Sequence, residues 1–180
     1  VYLGYSSPKT PARVYKYNLS NKSKNLVKEQ EIPSGHNKDD YIVERVEFES
    51  HDGRLVPLTI IRHKKTKLDG SANLLLYGYG SYGNSMSPNF SSTHLSLINR
   101  DIIWATAHIR GGMEKGMKWW KEGKLTNKKN TFEDYIHAAK YLIEKNYSSK
   151  GKIIGMGGSA GGLLMGAVVN QAPELFLGII

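Results

Sequence analysis

The sequence predicts an α/β fold in which helices cover a largely parallel sheet. Three continuously apolar runs, of the kind that buried parallel strands form, cover residues 73–77, 101–107 and 152–156. Between the last two runs, residues 131–145 place apolar side chains at the spacing of one helix face. This alternation of strand and helix favours parallel strands joined by right-handed crossover connections.

The first 40 residues predict short antiparallel strands instead. Residues 1–6 and 13–18 are rich in aromatic side chains and are predicted to be extended, and a polar turn follows at 19–25. Residues 26–32 could then pair back as the next arm of a hairpin.

Residues 41–62 predict an antiparallel hairpin with one buried face. Apolar and charged side chains alternate over 41–50, and β-branched residues are frequent over 55–62. The tetrapeptide His51-Asp52-Gly53-Arg54 between them is a tight-turn signal. The pattern therefore changes near residue 70, where the apolar runs begin.

The two predicted helices are marked differently at their ends. Asn130 and Glu133 resemble a capping box at the start of the helix over 131–145. A second helix is predicted over residues 163–170 and ends shortly before a proline. Residues 175–180 then form an apolar run typical of another buried strand, so the chain is interpreted as a fragment of a longer fold.

The composition argues against several classes of function. The 180 residues contain no cysteine, and no apolar run reaches the roughly 18 residues of a membrane span. The formal net charge is +9, but the lysines are spread out and no nucleic-acid-binding motif accompanies them. We therefore expect no nucleic-acid partner, no membrane partner, no metal and no other cofactor. Residues 1–5 lack the pattern of a signal peptide, which favours a cytoplasmic location.

The strongest chemical signal is Gly157-Gly158-Ser159-Ala160-Gly161, which has the G-x-S-x-G form of a nucleophile elbow. It follows an apolar strand and precedes a helix, as that motif requires. The serine of such a turn adopts a strained backbone conformation, which small neighbours permit. The elbow glycines predicted here are Gly157, Gly158, Gly161 and Gly162. The backbone N–H of Ala160 is the predicted donor to an oxyanion.

An alternative interpretation of this turn is a phosphate-binding loop before a helix. The sequence lacks both the Gly-Lys-Ser/Thr of a P-loop and a clear dinucleotide fingerprint, so the nucleophile is favoured.

Glycine-rich loops follow two other predicted strands. At 77–83 a tyrosine hydroxyl could donate to an oxyanion or could simply pack at the sheet end. At 108–112 we expect Arg110 to anchor the loop.

Four ordered motifs give a resemblance to a known family. They lie at residues 75–83, 109–112, 128–135 and 156–165, and a fifth similar segment follows at 170–176. Together they resemble the catalytic domain of the prolyl oligopeptidase family, within it most of all oligopeptidase B (protease II). Met113 departs from the family pattern, which usually has a third glycine at that position.

The resemblance implies an architecture and a set of roles. Residues 1–40 would be the last strands of a β-propeller with a linker, and residues 41–180 the N-terminal part of an α/β-hydrolase domain. By resemblance, Ser159 is the nucleophile, the Ala160 N–H and the Tyr79 hydroxyl are oxyanion donors, and Tyr82 lines the substrate pocket. The oligopeptidase B branch cleaves short peptides after Arg or Lys without a cofactor.

The expected catalytic base is missing from the sequence. In α/β-hydrolases the acid and then the histidine follow the serine, but no Asp or His follows Ser159. All six histidines precede it; His108 is the least implausible base, and a structural role is favoured for it. We therefore expect this chain alone to hydrolyse peptides too slowly to be useful, and its open sheet edge to make it poorly soluble.

Three alternatives remain at this point. A second chain could supply the Asp and His and complete a split hydrolase. The chain could be a non-catalytic module that binds peptides. A carboxylesterase of the same fold is less favoured, because esterases commonly build the oxyanion loop from a His-Gly-Gly type sequence rather than from a tyrosine.

Overall fold

The computed structural model describes residues 1–180 and contains two separate β-sheets. The strands of the first sheet are β1 (Tyr2–Ser7), β2 (Thr10–Tyr17) and β3 (Lys24–Glu29). They pair antiparallel in that order, with most side chains of β1 and β3 exposed. This small sheet therefore contributes little to the hydrophobic core.

The second sheet has six strands and positions the candidate site. Along the chain they are β4 (Tyr41–Glu49), β5 (Leu55–His63), β6 (Leu74–Gly78), β7 (Ile103–Ala107), β8 (Ile153–Met156) and β9 (Phe176–Ile179). Their spatial order is β4-β5-β7-β6-β8-β9. The β4–β5 and β5–β7 pairs are antiparallel, whereas the pairs from β7 to β9 are parallel.

Helices cover both faces of this sheet. They are α1 (Ser92–Ile98), α2 (Met117–Lys121), α3 (Lys129–Glu144) and α4 (Ala160–Gln171). The larger core, of 24 buried residues, joins Leu76 of the sheet to Tyr135 and Leu142 of α3 and Leu164 of α4. A smaller cluster on the other face joins Trp104 to α1. No helix is both long enough and apolar enough to cross a membrane.

The predicted α/β organisation is confirmed in its main elements. The apolar runs form β6, β7 and β8, and residues 41–62 form the predicted antiparallel hairpin. The side chains of β6 and β7 are almost all buried because helices lie on both faces, which explains why these strands read as continuous apolar runs.

The predicted capping box at Asn130 and Glu133 is wrong. Helix α3 starts at Lys129, and Lys128 before it already has helical backbone angles and no side-chain cap. A short 3₁₀ turn at Leu125–Asn127 leads directly into the helix. Asn130 therefore lies inside the first turn, and its Nδ2 donates to the carbonyl of Glu122 over 2.9 Å.

Three further helical segments differ from the prediction. Helix α4 begins at Ala160, three residues before the predicted start, and runs through Gly161 and Gly162 despite the low helix propensity of glycine. The short helices α1 and α2 were not predicted. The Ser91 hydroxyl caps α1 by accepting from the His94 N–H, whereas Gly116 precedes α2 and offers no side-chain cap.

Candidate active site

The carboxyl ends of β6 and β8 meet at one edge of the sheet. The two strands are parallel neighbours, and Tyr77 stands opposite Met156. The loop at 78–83 and the turn at 157–159 therefore leave the sheet side by side. This edge is where open α/β sheets bind ligands.

Ser159 occupies a strained position in the turn between β8 and α4. Its backbone angles are φ 54° and ψ −119°, a conformation that costs a non-glycine residue about 1–3 kcal/mol. The residue is exposed, and its side chain does not cap the helix that follows. The hydroxyl is therefore presented at the sheet edge, as a nucleophile requires.

Two of the four predicted elbow glycines are needed for close approach. A Cβ atom on Gly157 would lie 2.6 Å from the carbonyl oxygen of Gly161, and one on Gly161 would lie 3.1 Å from that of Gly78. A Cβ on Gly158 or Gly162 would meet nothing within 4 Å. The absence of side chains at 157 and 161 lets α4 start against the β6 loop, whereas the other two glycines have no such packing requirement.

The two residues that carry the predicted oxyanion donors both lie at this contact. The Ala160 N–H opens α4 and makes no backbone hydrogen bond, so it is available at the positive end of the helix dipole. Tyr79 packs against the same turn: the Cβ position of Gly161 lies 3.9 Å from its Cα and 3.7 Å from its Cδ2. The structure thus brings the Tyr79 loop to the first turn of α4.

Tyr82 projects from the open side of the same loop. Its φ of 56° is left-handed, and the residue is 77% exposed. The Gly83 N–H just after it donates to the carbonyl of Gly111 over 2.9 Å. A hydrogen bond of 2.8 Å from the Met86 N–H to Glu114 fixes the chain further along. The loop that follows β7 therefore supports the tyrosine loop.

Lys128 contacts the loop at 78–83, and the sequence did not predict this contact. Its Nζ donates to the carbonyl of Gly80 over 2.6 Å and contacts the Ser81 hydroxyl at 2.8 Å. The residue begins the 128–135 motif, but nothing in its local sequence signals a contact with a segment 48 residues earlier.

Tyr135 supports the site from below and was also missed. It is fully buried, and its hydroxyl donates to the Leu76 carbonyl over 2.5 Å and accepts from the Met156 N–H over 3.3 Å. Burial raises its pKa, so the phenol stays neutral and can donate. It thereby joins the ends of β6 and β8 beneath the elbow.

Arg110 is the anchor that the sequence predicted, and it pairs with two carboxylates. Its guanidinium donates to buried Asp134 over 2.6 and 2.9 Å and to Asp52 over 2.6 and 3.1 Å. The Ser50 hydroxyl adds a 2.6 Å hydrogen bond to Asp134. This network ties the loop after β7 to α3 and to the β4–β5 turn.

His108 is not placed beside Ser159. It is only 1% exposed, its Nε2 lies 2.9 Å from the Thr59 hydroxyl, and its Nδ1 lies 3.6 Å from the Glu114 carboxylate. It follows β7, which β6 separates from β8, so two strand spacings of about 4.8 Å lie between them. The structural role favoured for this histidine agrees with these contacts.

One cavity of the molecule does not contain Ser159. It measures about 640 Å³ and lies on the α1 face of the sheet, where Tyr77, His94, Trp104 and Met156 are among its lining residues. We place the candidate chemistry at Ser159 nonetheless, because the backbone conformation and the free helix N–H group are there. No group of three or more His, Asp or Glu side chains is arranged to hold a metal ion.

Comparison with known proteins assigns the chain to a family. The sequence profile of the prolyl oligopeptidase family matches residues 88–180, which is more than half of the chain. The chain belongs to the prolyl oligopeptidase family. The family predicted from the motifs is thereby confirmed. Its members are serine peptidases.

Curated relatives and solved structures extend the similarity to nearly the whole chain. Dipeptidyl aminopeptidase BI of Pseudoxanthomonas mexicana is 47% identical over 96% of the chain, and Protease 2 of Moraxella lacunata is 40% identical over 100% of it. The structure of oligopeptidase B from Leishmania major superposes with a TM-score of 0.91, at 40% identity over 99% of the chain. The chain spans about a quarter of the length of each of these relatives.

Proposed function

We propose that this chain carries the nucleophile part of the active site of a serine oligopeptidase. The observation that carries the proposal is the backbone of Ser159, which adopts φ 54° and ψ −119° between a buried parallel strand and a helix. Strain of this kind persists where the surrounding structure fixes it, and it clusters at active sites. Membership of a serine peptidase family gives the strained hydroxyl a matching chemistry.

The proposed reaction is acyl transfer from a peptide to Ser159 and then to water. Ser159 Oγ attacks the scissile carbonyl carbon and gives its proton to a general base, which passes it to the leaving amine. The carbonyl oxygen, now negatively charged, accepts hydrogen bonds from the Ala160 N–H and the Tyr79 hydroxyl. Water, deprotonated by the same base, then attacks the carbonyl carbon of the acyl-enzyme. The bond between that carbon and Ser159 Oγ breaks, the base gives its proton to Oγ, and the peptide acid leaves.

The proposed substrates are short peptides cleaved after Arg or Lys. This preference rests on the motif resemblance to oligopeptidase B, and exposed Tyr82 would line the pocket. The sheet β1-β2-β3 would be the end of a propeller that excludes folded proteins. Other relatives are called prolyl endopeptidase and dipeptidyl aminopeptidase, so the residue before the cleaved bond has to be decided by experiment.

The general base is proposed to come from outside these 180 residues. His108 is held by Thr59 and lies two strands from the elbow, and the other five histidines also precede Ser159. Loss of the base costs a serine protease on the order of a million-fold in turnover. We therefore propose that the 180-residue chain alone is inactive and that further sequence, or a second chain, supplies the Asp and His.

A fluorophosphonate probe tests the nucleophile and the missing base separately. The product of the complete reading frame is expected to label at Ser159 and to cleave fluorogenic peptides with Arg or Lys before the dye, and its Ser159→Ala variant to do neither. The 180-residue chain is expected to label at least 1,000-fold more slowly, as an order-of-magnitude estimate. Label on another residue of the complete protein would contradict the assignment of Ser159.

The remaining outcomes decide the finer points. Strong labelling of the 180-residue chain would show that a base lies within it. Faster cleavage after Pro or Ala than after Arg would overturn the basic preference and keep the peptidase. Activity that appears only when a second polypeptide is added would identify a split enzyme.

A further inference from the structure

The ammonium group of Lys128, at the start of α3, contacts the middle of the loop at 78–83. Its two hydrogen-bond partners, Gly80 and Ser81, are the two residues that separate Tyr79 from Tyr82. The ammonium group therefore bonds the short segment whose course decides where both tyrosines point.

The position of this ammonium group is electrostatically unfavourable. Lys128 is half-buried at the amino end of α3, where the helix dipole repels a cation, and the first turn contains no acidic residue. Its hydrogen-bond partners are both neutral oxygens, and the Phe132 ring centroid lies 6.0 Å from Nζ, at the outer limit for a cation–π contact. Burial, which no carboxylate offsets, lowers the pKa of Lys128 below that of an ordinary lysine. An apolar side chain would avoid this cost but would remove the donor to the Gly80 carbonyl, so the lysine is tied to the position of that carbonyl.

The segment that Lys128 bonds has little other freedom. Gly80 has a left-handed φ of 64°, and a Cβ there would lie 2.4 Å from Thr131 and 2.8 Å from Ile109. The Gly80 carbonyl also faces Gly111, where a Cβ would lie 2.0 Å from that oxygen. Gly80 is thus enclosed on three sides, and its carbonyl accepts a hydrogen bond from the ammonium of Lys128.

We propose that Lys128 is a positioning residue that holds the Tyr79 hydroxyl in place to stabilise the oxyanion. This inference rests on the proposed function, and it adds to it a group that touches neither substrate nor nucleophile. The cation fixes the Gly80 carbonyl, which lies one residue after Tyr79 and packs closely against Gly111. The resulting hydrogen bond from Tyr79 forms only with the transition state, so losing it lowers kcat rather than raising KM.

Replacing Lys128 in the product of the complete reading frame tests this role. Lys128→Met is expected to lower kcat on the order of 10- to 100-fold while KM changes less than about threefold. The matched control is Lys129→Met, which removes the same charge from the same helix end at an exposed position and is expected to leave kcat unchanged. Lys128→Gln, which keeps a donor without the charge, is expected to lie between Lys128→Met and the unsubstituted protein.

A double-mutant cycle shows whether Lys128 acts through Tyr79. In a Tyr79→Phe background the Lys128→Met change is expected to cost less than about twofold in kcat, because the hydroxyl it positions is gone. An unchanged kcat in the Lys128→Met single variant, or the same fractional loss in both backgrounds, would overturn the inference. The thermal midpoint is expected to stay within about 3 °C of the unsubstituted protein, which separates positioning from unfolding.

Hydrogen exchange tests the contact without any activity. In Lys128→Met the amides of residues 78–84 are expected to exchange faster, whereas those of β8 keep their rates; unchanged exchange at 78–84 would contradict the positioning role. If the complete protein does not label at Ser159, the proposed function fails and this measurement still decides whether Lys128 holds the loop. If Lys128→Met does not fold, Lys128→Gln gives the same comparison.

Discussion

At the scale of single residues, the site depends on where side chains are absent as much as on where they are present. Gly157 and Gly161 allow two backbone segments to touch, and that contact holds Ser159 in its left-handed conformation. The G-x-S-x-G spacing predicted these positions because they lie two residues on either side of the serine. Gly158 and Gly162 share the composition of the motif but have open space around them.

Alanine at two of these glycines is predicted to act very differently. Gly157→Ala places a Cβ 2.6 Å from the Gly161 carbonyl, so the backbone has to move, at a cost of about 1–3 kcal/mol in the free energy of unfolding. Gly158→Ala meets nothing within 4 Å and is expected to change that free energy by less than about 0.5 kcal/mol. Urea denaturation of both variants measures the difference; equal effects would contradict the packing account of the elbow.

The two carboxylates that pair with Arg110 are predicted to differ in the same way. Asp134 is fully buried, and Asp134→Asn leaves part of the arginine charge uncompensated, at a cost of about 3 kcal/mol. Asp52 is about a third exposed, and Asp52→Asn is expected to cost less than about 1 kcal/mol because water screens the lost charge. Thermal or urea unfolding compares them, and a larger loss from Asp52→Asn would contradict this description of the network.

At the scale of elements, the strands could be predicted and the contacts between loops could not. Continuous apolar runs predicted β6, β7 and β8 because helices bury both faces of these strands. The hydrogen bonds of Lys128 join residues 48 positions apart, and no local pattern encodes such a partner. Helices α1 and α2 are short and weakly patterned, so their places depend on packing after the sheet has formed.

Helix α3 is predicted to stabilise the sheet edge through one hydroxyl. Tyr135→Phe removes the hydrogen bonds of the hydroxyl to the Leu76 carbonyl and the Met156 N–H, which is expected to cost about 1–2 kcal/mol in the free energy of unfolding. Tyr141→Phe on the same helix is the matched control, because that tyrosine is only half-buried, and it is expected to be neutral. Urea denaturation measures both; a neutral Tyr135→Phe would show that the elbow does not depend on this hydroxyl.

At the scale of the whole molecule, the chain combines a well-packed six-stranded sheet with a small sheet that hardly contributes to the core. The resemblance predicted both the family and a propeller origin for the small sheet; the family is established, and the propeller origin remains a proposal. Large apolar side chains are exposed where α4 and the edge strand β9 face outwards, including Leu163 and Leu177.

Acid is predicted to unfold the molecule through its paired carboxylates. Burial raises the pKa of Asp52, but hydrogen bonds and charge from Arg110 outweigh it and leave that pKa below its usual value. Burial likewise raises the pKa of Glu114, and its contacts with His108 and the Met86 N–H outweigh it. Groups with lowered acid pKa values add stability that is complete above their unfolded pKa values and is lost as pH falls through the folded ones.

The contribution of these two carboxylates to the free energy of unfolding is therefore expected to be level above about pH 5 and to fall below about pH 4. Urea titrations at a series of pH values measure this profile. Glu114→Gln removes one of the two groups and is expected to flatten the acid limb. Stability that rises as pH falls below about 4 would contradict the assigned directions.

We propose that Ser159, Ala160 and Tyr79 form one oxyanion-stabilising site. A crystal structure of the complete protein after fluorophosphonate labelling tests it most directly, because the phosphonyl oxygen stands in for the oxyanion. We predict phosphorus bonded to Ser159 Oγ, with that oxygen about 2.7–3.1 Å from both the Ala160 nitrogen and the Tyr79 hydroxyl. A phosphonyl oxygen that faces solvent, with the Tyr79 hydroxyl beyond hydrogen-bonding distance, would contradict the account.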